Sequence, residues 1–205
     1  MNSKRKGTLF VISAPSGTGK GTVIKALLDR HKDDVFLSVS ATTRPPRDGE
    51  IDGVHYYFKE KDEFKKMISD NGFLEWACFC DNYYGTPKKV VDEKLNLGID
   101  VLLEIEIQGA MKIMESYTEA VFIFILPPSF EELRNRLVNR NTESYDVIEK
   151  RLKTARDEFG YAEKYDYVVI NDIVENAVSD IESILTAEKC RTNKNKKLLD
   201  EVQRI

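Results

Sequence analysis

The fold is decided by the stretch Ser13-Ala14-Pro15-Ser16-Gly17-Thr18-Gly19-Lys20-Gly21-Thr22, which directly follows the apolar run Thr8-Leu9-Phe10-Val11-Ile12. An apolar run that breaks into small residues ending in Gly-Lys predicts a strand, a phosphate-binding loop and a helix. Such a loop points successive backbone N–H groups at a polyphosphate, its lysine reaches the outer phosphates, and the helix start adds a favourable dipole. The stretch therefore predicts a nucleoside triphosphate as the ligand.

Two positions of this loop depart from the strict phosphate-loop pattern. Ala14 stands where the pattern has glycine, and Gly21 stands where it has a serine or threonine whose hydroxyl binds Mg²⁺. Thr22 offers a hydroxyl one position later. Because Mg²⁺ readily keeps water and phosphate oxygens as ligands, we expect Mg²⁺ dependence with little direct coordination by the protein, and we assign no residue as a metal ligand.

The composition bounds the class of protein. The chain has 205 residues, enough for one domain that buries a core without disulfides, and a net charge of −4. The lack of a basic surplus argues against a nucleic-acid partner, and no apolar run approaches the roughly 20 residues of a membrane span. Three cysteines form no even framework, which favours a reducing, cytoplasmic location. A monomer and a small homo-oligomer both remain open.

Hydrophobic periodicity alternates between strands and helices along much of the chain. Short apolar runs at 101–103, 121–126 and 167–170 are typical of buried parallel strands. The helical spacing of apolar residues predicts helices at 23–31, 108–117, 129–139, 145–164 and 173–189. This alternation predicts an α/β fold in three layers, a doubly wound parallel sheet with helices on both faces.

The segment 35–97 interrupts this alternation. Prolines and glycines separate its short extended pieces, with one short helix near 62–69 and an aromatic strand at 73–79. We therefore expect a mixed-β lobe inserted between core elements. After Cys190, a charged tail predicts a loosely held helix.

Two arginines in this lobe form a candidate anion site. Arg44 and Arg47 flank two prolines, so a stiff loop holds both guanidinium groups, which bind phosphate bidentately. The hydroxyls of Tyr56 and Tyr84 add neutral donors. Each side chain taken alone is more typical of a solvated loop charge or a core ring. Beside a triphosphate loop the anion-site interpretation is favoured, because a kinase needs a separate acceptor site.

Several separated motifs together resemble the guanylate kinase family, whose members move the terminal phosphate of ATP onto GMP. The motifs are Ser-Gly-x-Gly-Lys at 16–20, Thr-Thr-Arg-x-x-Arg-x-Gly-Glu at 42–50, Phe-Leu-Glu-Trp-Ala at 73–77, Asn-Tyr-Tyr-Gly-Thr at 82–86, Gln-Gly at 108–109, the arginines of 136–151 and Val-Ile-Asn-Asp at 169–172. The first is shared by many phosphate-loop proteins, whereas those at 42–50 and 82–86 are far more specific. The resemblance covers residues 7 to 189.

The resemblance implies the phosphate-loop kinase version of the fold and a division of the chain. The implied segments are a core with the phosphate loop at 1–34, a GMP-binding lobe at 35–97, core at 98–128, a helical lid at 129–155, and core with the C-terminal helix and tail at 156–205.

Carried over position by position, the resemblance implies two sets of GMP-binding residues. Those facing the guanine are Ser40, Glu75, Thr86 and Glu106, and those holding the phosphate are Arg44, Arg47, Tyr56 and Tyr84. The chemistry of Glu75 and Thr86 agrees independently, because a carboxylate accepts from guanine N1–H and N2–H₂ while a hydroxyl donates to O6. Adenine has an acceptor at N1, so AMP would leave that carboxylate unsatisfied. A surface charge is the alternative interpretation of Glu75.

The resemblance also implies the ATP site and the catalytic residues. The implied ATP contacts are Ala14, Pro15, Ser16, Gly17, Thr18, Gly19, Lys20, Gly21, Thr22 and Asn171, of which Asn171 taken alone is more typical of a turn. The implied catalytic residues are Lys20, Arg44, Arg136, Arg140 and Arg151. Phosphoryl transfer needs positioning and charge neutralisation, so we expect direct in-line transfer from ATP to GMP or dGMP without an enzyme nucleophile.

The lid arginines have an alternative interpretation, and two positions depart from the family's pattern. Arg136 and Arg140 lie one helical turn apart and can reach one anion, although a cationic helix face paired with acidic neighbours would look the same. Glu106 stands where aspartate is usual, which keeps the charge and changes its reach. Asn141 stands where glycine is usual, and we expect asparagine to keep the hinge, because it tolerates left-handed backbone geometry.

Three other functions compete with this interpretation. A guanylate-kinase-like scaffold domain keeps the fold and binds peptides, but typically lacks an intact phosphate loop or lid arginines. A phosphate-loop kinase for another small acceptor has no use for the guanine-reading pair Glu75 and Thr86. A GTPase switch needs an Asn-Lys-x-Asp base reader, and Asn193-Lys194-Asn195 lacks the aspartate.

Overall fold

The computed structural model describes residues 5–31, 34–139 and 144–203. The strands are β1 (Leu9–Ser13), β2 (Val35–Leu37), β3 (Ala41–Thr42), β4 (Tyr57–Phe58), β5 (Phe73–Phe79), β6 (Asn82–Pro87), β7 (Asp100–Glu104), β8 (Val121–Leu126) and β9 (Tyr167–Ile170). The helices are α1 (Lys20–Arg30), α2 (Lys61–Ser69), α3 (Lys88–Asn96), α4 (Ile107–Ser116), α5 (Phe130–Asn139), α6 (Tyr145–Phe159), α7 (Val174–Lys189) and α8 (Lys196–Gln203). Short 3₁₀ helices, Gly160–Lys164 and Thr192–Asn195, follow α6 and α7.

Five strands form a parallel core sheet in the order β2-β7-β1-β8-β9. Phe10 and Ile12 of the central strand β1 pack into the layer that holds α1 and α7, whereas Leu9 and Val11 pack into the layer that holds α3 and α4. The β1 run is apolar throughout because helices cover both faces of the sheet. The predicted three-layer, doubly wound α/β fold is confirmed.

Four strands form a second, mixed sheet in the order β4-β3-β6-β5. Strand β3 runs parallel to β4 and antiparallel to β6, and β5 and β6 form an antiparallel hairpin. Cys80 and Asp81 turn this hairpin with φ values of 47° and 61°. This sheet and α2 form the lobe that the sequence predicts between core elements.

The structure draws the limits of this lobe differently from the predicted 35–97. Strand β2 pairs with β7 in the core sheet, with Val35 opposite Asp100, and α3 buries Val91 and Leu95 in the core layer that contains Leu103. A strand of three residues is too short for periodicity to assign it to a sheet, and its partner is distant in the sequence. The second sheet itself lies within 41–87.

Two helix boundaries also differ from the predicted ones. Helix α1 begins at Lys20 rather than at 23, because the phosphate loop ends at Gly19 and passes directly into the first helical turn. Helix α6 ends at Phe159, and the chain tightens into a 3₁₀ helix to Lys164, where a single helix over 145–164 was expected. The strands predicted at 73–79, 121–126 and 167–170 have the observed bounds.

Helices α5 and α6 pack on each other and on the phosphate loop. Leu133 and Leu137 of α5 share an apolar cluster with Ile148 and Leu152 of α6. A Cβ built on Gly17 would lie only 2.8 Å from the Leu137 side chain, so this helix pair touches the loop directly. The predicted site residue Arg140 and the hinge position 141 lie outside the described residues.

The C-terminal tail forms α8, a helix with exposed apolar side chains at Leu198 and Val202, in agreement with the predicted helix. In the part of the chain that the structure describes, no helix has both the length and the apolar character that crossing a bilayer requires.

A buried carboxylate ties both chain ends to the start of β7. The Asp100 side chain is 2% exposed and accepts the Thr8 backbone N–H at 2.8 Å. It also pairs with Arg5 and with Lys189, each at 3.2 Å. One acidic group therefore links Arg5, Thr8 and Lys189 to the start of β7.

Replacing Asp100 with asparagine is expected to lower the free energy of unfolding by about 3 kcal/mol, because two cations and an N–H lose their charged partner. Urea unfolding followed by circular dichroism measures the change. Asp180→Asn, at an exposed position of α7, is the matched control and should cost less than about 0.5 kcal/mol. Equal unfolding midpoints for the two variants would show that the Asp100 network adds no net stability.

Candidate active site

The phosphate loop connects the C-terminal end of β1 to α1 at the centre of the core sheet. Gly17 and Gly19 have φ values of 91° and 92°, which glycine adopts without strain. A side chain at Gly19 would also collide with Asn171, since its Cβ would lie 2.7 Å from Nδ2. The Thr18 hydroxyl donates to the Pro15 carbonyl and closes the turn. The loop conformation therefore requires glycine at positions 17 and 19.

Lys20 lies between the ends of β1 and β7. Its ammonium donates to the Ile105 carbonyl at 3.1 Å and lies 3.9 Å from the Glu104 carboxylate. Burial lowers the pKa of Lys20 below its ordinary value, and the negative charges of Glu104, Glu106 and Glu158 oppose that shift. These carboxylates favour the charged ammonium that a polyphosphate requires.

Three side chains from distant elements hold the phosphate loop in place. Asn171 donates from Nδ2 to the Thr18 carbonyl at 2.7 Å, and Arg136 donates to the same carbonyl at 3.1 Å. Arg136 also donates to the Asn171 carbonyl at 3.0 Å. Arg151 donates to the Ser16 hydroxyl at 2.7 Å. The structure thus brings these three predicted residues together at the loop.

Arg136 makes contacts that fit both interpretations of it, a charged helix face paired with acidic neighbours and a lid arginine at the phosphate loop. Its Nε donates to the Glu132 carboxylate one turn earlier at 2.9 Å, which is the acidic pairing expected of a cationic helix face. Its other two nitrogens point to backbone carbonyls of the phosphate loop and of the segment after β9. Glu132 therefore orients an arginine whose guanidinium lies against the loop.

A cleft of about 340 Å³ opens beside Lys20, between the core sheet and the lobe. Among the residues that line it are four of the predicted site residues, Lys20, Ser40, Tyr56 and Glu106. A larger cavity of about 690 Å³ lies at the opposite edge of the sheet, beside the C-terminal segment, and none of the predicted site residues lines it. The chemistry of the side chains, and not the size of the cavity, locates the candidate active site.

Arg44 is held in the lobe by an acidic partner. Its guanidinium donates to both oxygens of the Glu50 carboxylate, at 2.8 and 3.0 Å, and its central carbon lies 5.5 Å from the centre of the Tyr56 ring. Hydrogen bonding from Arg44 lowers the pKa of the Glu50 carboxyl to about 2. The Tyr56 and Tyr84 rings meet edge to face at 6.2 Å. Three predicted phosphate ligands are therefore neighbours.

The fourth predicted phosphate ligand, Arg47, is placed differently. Its side chain is exposed, while its backbone N–H donates to the Glu50 carboxylate at 2.7 Å. Glu50 therefore organises the whole loop, from the guanidinium of Arg44 to the backbone of Arg47. In the sequence, the position of Glu50 at the end of the motif at 42–50 is the only sign of this role.

The predicted guanine-reading pair lies on neighbouring strands. The Thr86 hydroxyl on β6 donates to Glu75 Oε1 on β5 at 2.9 Å, and Thr86 is 1% exposed. Burial raises the pKa of the Glu75 carboxyl above its ordinary value, against the hydrogen bond from Thr86 and the positive charge of Lys112. The negative charge of Glu106, at the N-cap of α4, also raises the Glu75 pKa. Glu75 is consequently a partly buried carboxylate that accepts a hydrogen bond from Thr86.

Comparison with known proteins identifies the family. The family model of guanylate kinase matches residues 6–188, nearly the whole chain. The chain belongs to the guanylate kinase family. It is therefore an enzyme, an ATP:GMP phosphotransferase, and the family match favours this activity over a peptide-binding scaffold or a kinase for another acceptor.

Individual guanylate kinases show the same similarity over almost their full length. The chain is 58% identical to the guanylate kinase of Caldanaerobacter subterraneus subsp. tengcongensis, covering 97% of this chain and 96% of that protein. It is 55% identical to that of Clostridium acetobutylicum, with 94% and 91% covered. The crystal structure of guanylate kinase from Anaplasma phagocytophilum superposes with a TM-score of 0.76, at 37% identity and 98% coverage of both chains.

Glu104 is a candidate functional residue of this kinase that sequence reasoning missed. A Cβ built on Gly21 would lie 3.7 Å from Glu104 Oε1, so a carboxylate oxygen stands beside the position where the strict phosphate loop has its hydroxyl. The feature of the sequence that could have identified Glu104 is its position at the end of the apolar run that forms β7, the strand adjacent to β1. Over residues 5–31, 34–139 and 144–203, no group of three or more His, Cys, Asp or Glu side chains is arranged to hold a metal ion.

Proposed function

We propose that a phosphate oxygen of bound GMP or dGMP attacks the γ-phosphorus of ATP directly, in line, giving ADP and GDP or dGDP. The observation that carries this proposal is the shared cleft, which Lys20 enters from the ATP side and Tyr56 from the lobe. A direct transfer needs both nucleotides in one space, and it requires orientation and charge neutralisation more than covalent chemistry.

The ATP half of the site is proposed to be the phosphate loop and its supports. The residues in this role are Ala14, Pro15, Ser16, Gly17, Thr18, Gly19, Lys20, Gly21, Thr22 and Asn171. Lys20 neutralises the β- and γ-phosphates, and the loop N–H groups bind them. Arg136, Arg140 and Arg151 are proposed to neutralise charge that develops on the transferred group.

The GMP half is proposed to have a base end and a phosphate end. The residues at the base end are Ser40, Glu75, Thr86 and Glu106, and those at the phosphate end are Arg44, Arg47, Tyr56 and Tyr84. Glu75 reads the two donors of the guanine edge, and Arg44, held in position by Glu50, binds the phosphate.

Magnesium is proposed as the required metal ion, and the residues present fit it. Gly21 supplies no hydroxyl, but the Glu104 carboxylate lies beside it and Thr22 follows it. Glu104, directly or through water, would therefore hold the ion together with the phosphates. When bound, Mg²⁺ neutralises phosphate charge. Turnover that continues undiminished in excess chelator would refute the requirement.

Two measurements test direct transfer. The first is initial rates over a grid of ATP and GMP concentrations, and the second is the stereochemical course of the reaction at the transferred phosphorus. We expect intersecting reciprocal plots and inversion of configuration, because the phosphoryl group moves once. Parallel plots with retention would indicate a phosphoenzyme and contradict the proposal.

Replacing Arg44 with alanine is expected to raise the KM for GMP about a hundredfold, since a charge-assisted contact with the phosphate is lost. ATP binding in the absence of GMP should change less than about twofold. Steady-state kinetics and calorimetric titration with ATP measure the two effects. Arg30→Ala, on the exposed face of α1, is the control. An equal loss of ATP affinity would remove Arg44 from the GMP half.

The binding partners, the cellular location and the oligomeric state of the enzyme are proposed from its composition and its cysteines. ATP and GMP are the partners, with no nucleic acid and no membrane, in the cytoplasm, as a monomer or a small homo-oligomer. The cysteines Cys78, Cys80 and Cys190 are free and exposed, which suits a reducing compartment. Sedimentation at working concentration would distinguish the oligomeric states.

A further inference from the structure

Helix α4 of the core lies against strand β5 of the lobe, beside Glu75. Leu74 of β5 packs against the apolar cluster to which α4 contributes Ile107. The ammonium of Lys112, in the second turn of α4, donates to the Trp76 carbonyl of β5 at 2.6 Å and lies 5.7 Å from the centre of the Trp76 ring. Both neighbours of Glu75 along the strand are thus tied to the core, so α4 holds the segment that carries this carboxylate.

Gly109, in the first turn of α4, leaves room for the Glu75 carboxylate. A Cβ built on Gly109 would lie 3.1 Å from Glu75 Oε2 and 3.4 Å from the carboxyl carbon. Real Cβ atoms rarely make contacts this short, so a side chain at Gly109 would displace the carboxylate by a few tenths of an ångström. The observed position of the Glu75 carboxylate therefore depends on the missing side chain at position 109.

The two oxygens of the Glu75 carboxylate lie against different parts of the molecule. Oε1 accepts the hydrogen bond from the Thr86 hydroxyl of β6 at 2.9 Å, whereas Oε2 lies beside Gly109 of α4. The first turn of a helix carries partial positive charge, which favours an ionised carboxylate next to it. The lobe therefore positions one oxygen of Glu75, and the core helix positions the other.

The glycine at position 109 is not explained by the backbone. Its φ lies outside the left-handed region that favours glycine, and alanine has the higher intrinsic helix propensity. The nearest atoms that a side chain would meet are those of the Glu75 carboxylate, followed by the Ile105 side chain at 3.5 Å. The space that Gly109 leaves is consequently space for the carboxylate.

We propose that Gly109 is a specificity-determining position for guanine, because it lets α4 set the position of the Glu75 carboxylate, with Lys112 holding β5 against the helix. The inference rests on the proposed role of Glu75 in reading the guanine edge. Gly109 and Lys112 act through Glu75 and are positioning residues. Hydrogen bonds weaken steeply outside a narrow range of distance and angle, so a small displacement of the carboxylate weakens guanine binding and leaves the ATP half unchanged.

The first test is Gly109→Ala, with Gly160→Ala as the matched control, since a Cβ on Gly160 would meet no atom of the described residues within 4 Å. We expect the KM for GMP to rise about tenfold in Gly109→Ala and the KM for ATP to stay within about twofold of wild type. Gly160→Ala should match wild type. Alanine is the better helix former, so α4 should remain folded, which circular dichroism verifies. An unchanged KM for GMP, or an equal rise in both KM values, would overturn the proposal.

The same change in the Glu75→Ala background separates positioning from a general structural role. If Gly109 acts through the carboxylate, Gly109→Ala should alter kcat/KM for GMP by less than about twofold once the carboxylate is gone. A further loss of about tenfold in that background would overturn the proposal. Wild-type kcat/KM for GMP in Glu75→Ala alone would instead refute the guanine-reading role itself, so the two failures are distinguishable.

Lys112→Met tests the proposal without changing the first turn of α4. The Lys112 side chain is exposed, so its loss should not unfold the protein. Without the hydrogen bond to the Trp76 carbonyl, β5 is held less firmly, and we expect the KM for GMP to rise about threefold with the KM for ATP unchanged. Lys65→Met, an exposed lysine of α2 in the same lobe, is the control. Equal KM values for GMP in the two variants would contradict the proposal that α4 positions the strand.

Discussion

Replacing Glu75 with alanine is expected to lower kcat/KM for GMP by about a thousandfold. In its proposed role, the partly buried carboxylate accepts from two guanine donors, and each of these charge-assisted hydrogen bonds is expected to contribute about 2 kcal/mol. The rate with AMP should not fall, because AMP never makes these bonds and the carboxylate that it leaves unsatisfied is removed. Steady-state ADP release with both nucleotides measures the change in selectivity.

Glu60→Ala is the matched control for this change, since Glu60 is an exposed glutamate of the same lobe at the start of α2. It should retain wild-type rates with both nucleotides. If Glu75→Ala kept the preference for GMP, a different residue would be reading the guanine edge, even though the activity itself stands.

The same carboxylate predicts a pH dependence of GMP binding. Because burial raises the pKa of Glu75, acid neutralises it earlier than an ordinary glutamate. Affinity for GMP is therefore fully present above this raised pKa and is lost as the pH falls through it. The titration of the GMP phosphate is common to wild type and Glu75→Gln, so the ratio of their affinities should fall in acid, and a constant ratio would contradict the assignment.

Replacing Lys20 with methionine is expected to lower kcat by a factor of about a thousand or more, because the phosphate loop loses its lysine ammonium while charge redistributes on the transferred phosphoryl group. Methionine keeps most of the apolar stem, so the fold should remain. Rapid-quench measurement of a single turnover isolates the chemical step. Lys25→Met, on the exposed side of α1, serves as the control. A loss below tenfold would assign charge neutralisation to other groups.

The elements that were predicted well are those whose signal is local. Strands β8 and β9 are continuous apolar runs, and their observed bounds, Val121–Leu126 and Tyr167–Ile170, match the predicted ones. Strand β2 has only three residues, and its place in the core sheet depends on pairing with Asp100 of β7, far along the chain. No window of sequence contains that information.

The same distinction applies to the candidate site. The arginines of the lobe and the proposed guanine-reading pair stand in recognisable motifs, so the sequence predicted them as site residues. The ion pair between Arg44 and Glu50 was not predicted. Support of the phosphate loop by Asn171 and Arg151 comes from elements more than 130 residues away in the chain. Such contacts depend on packing of α6 and β9 against the loop, which periodicity does not encode.

The most direct test of this account is ADP release from ATP with each of GMP, dGMP, AMP, CMP and UMP as acceptor, measured in one coupled assay. We expect turnover with GMP and dGMP, and kcat/KM for AMP lower by a factor of about 10⁴, because adenine leaves the Glu75 carboxylate without a donor at N1. Equal rates with AMP and GMP would contradict it.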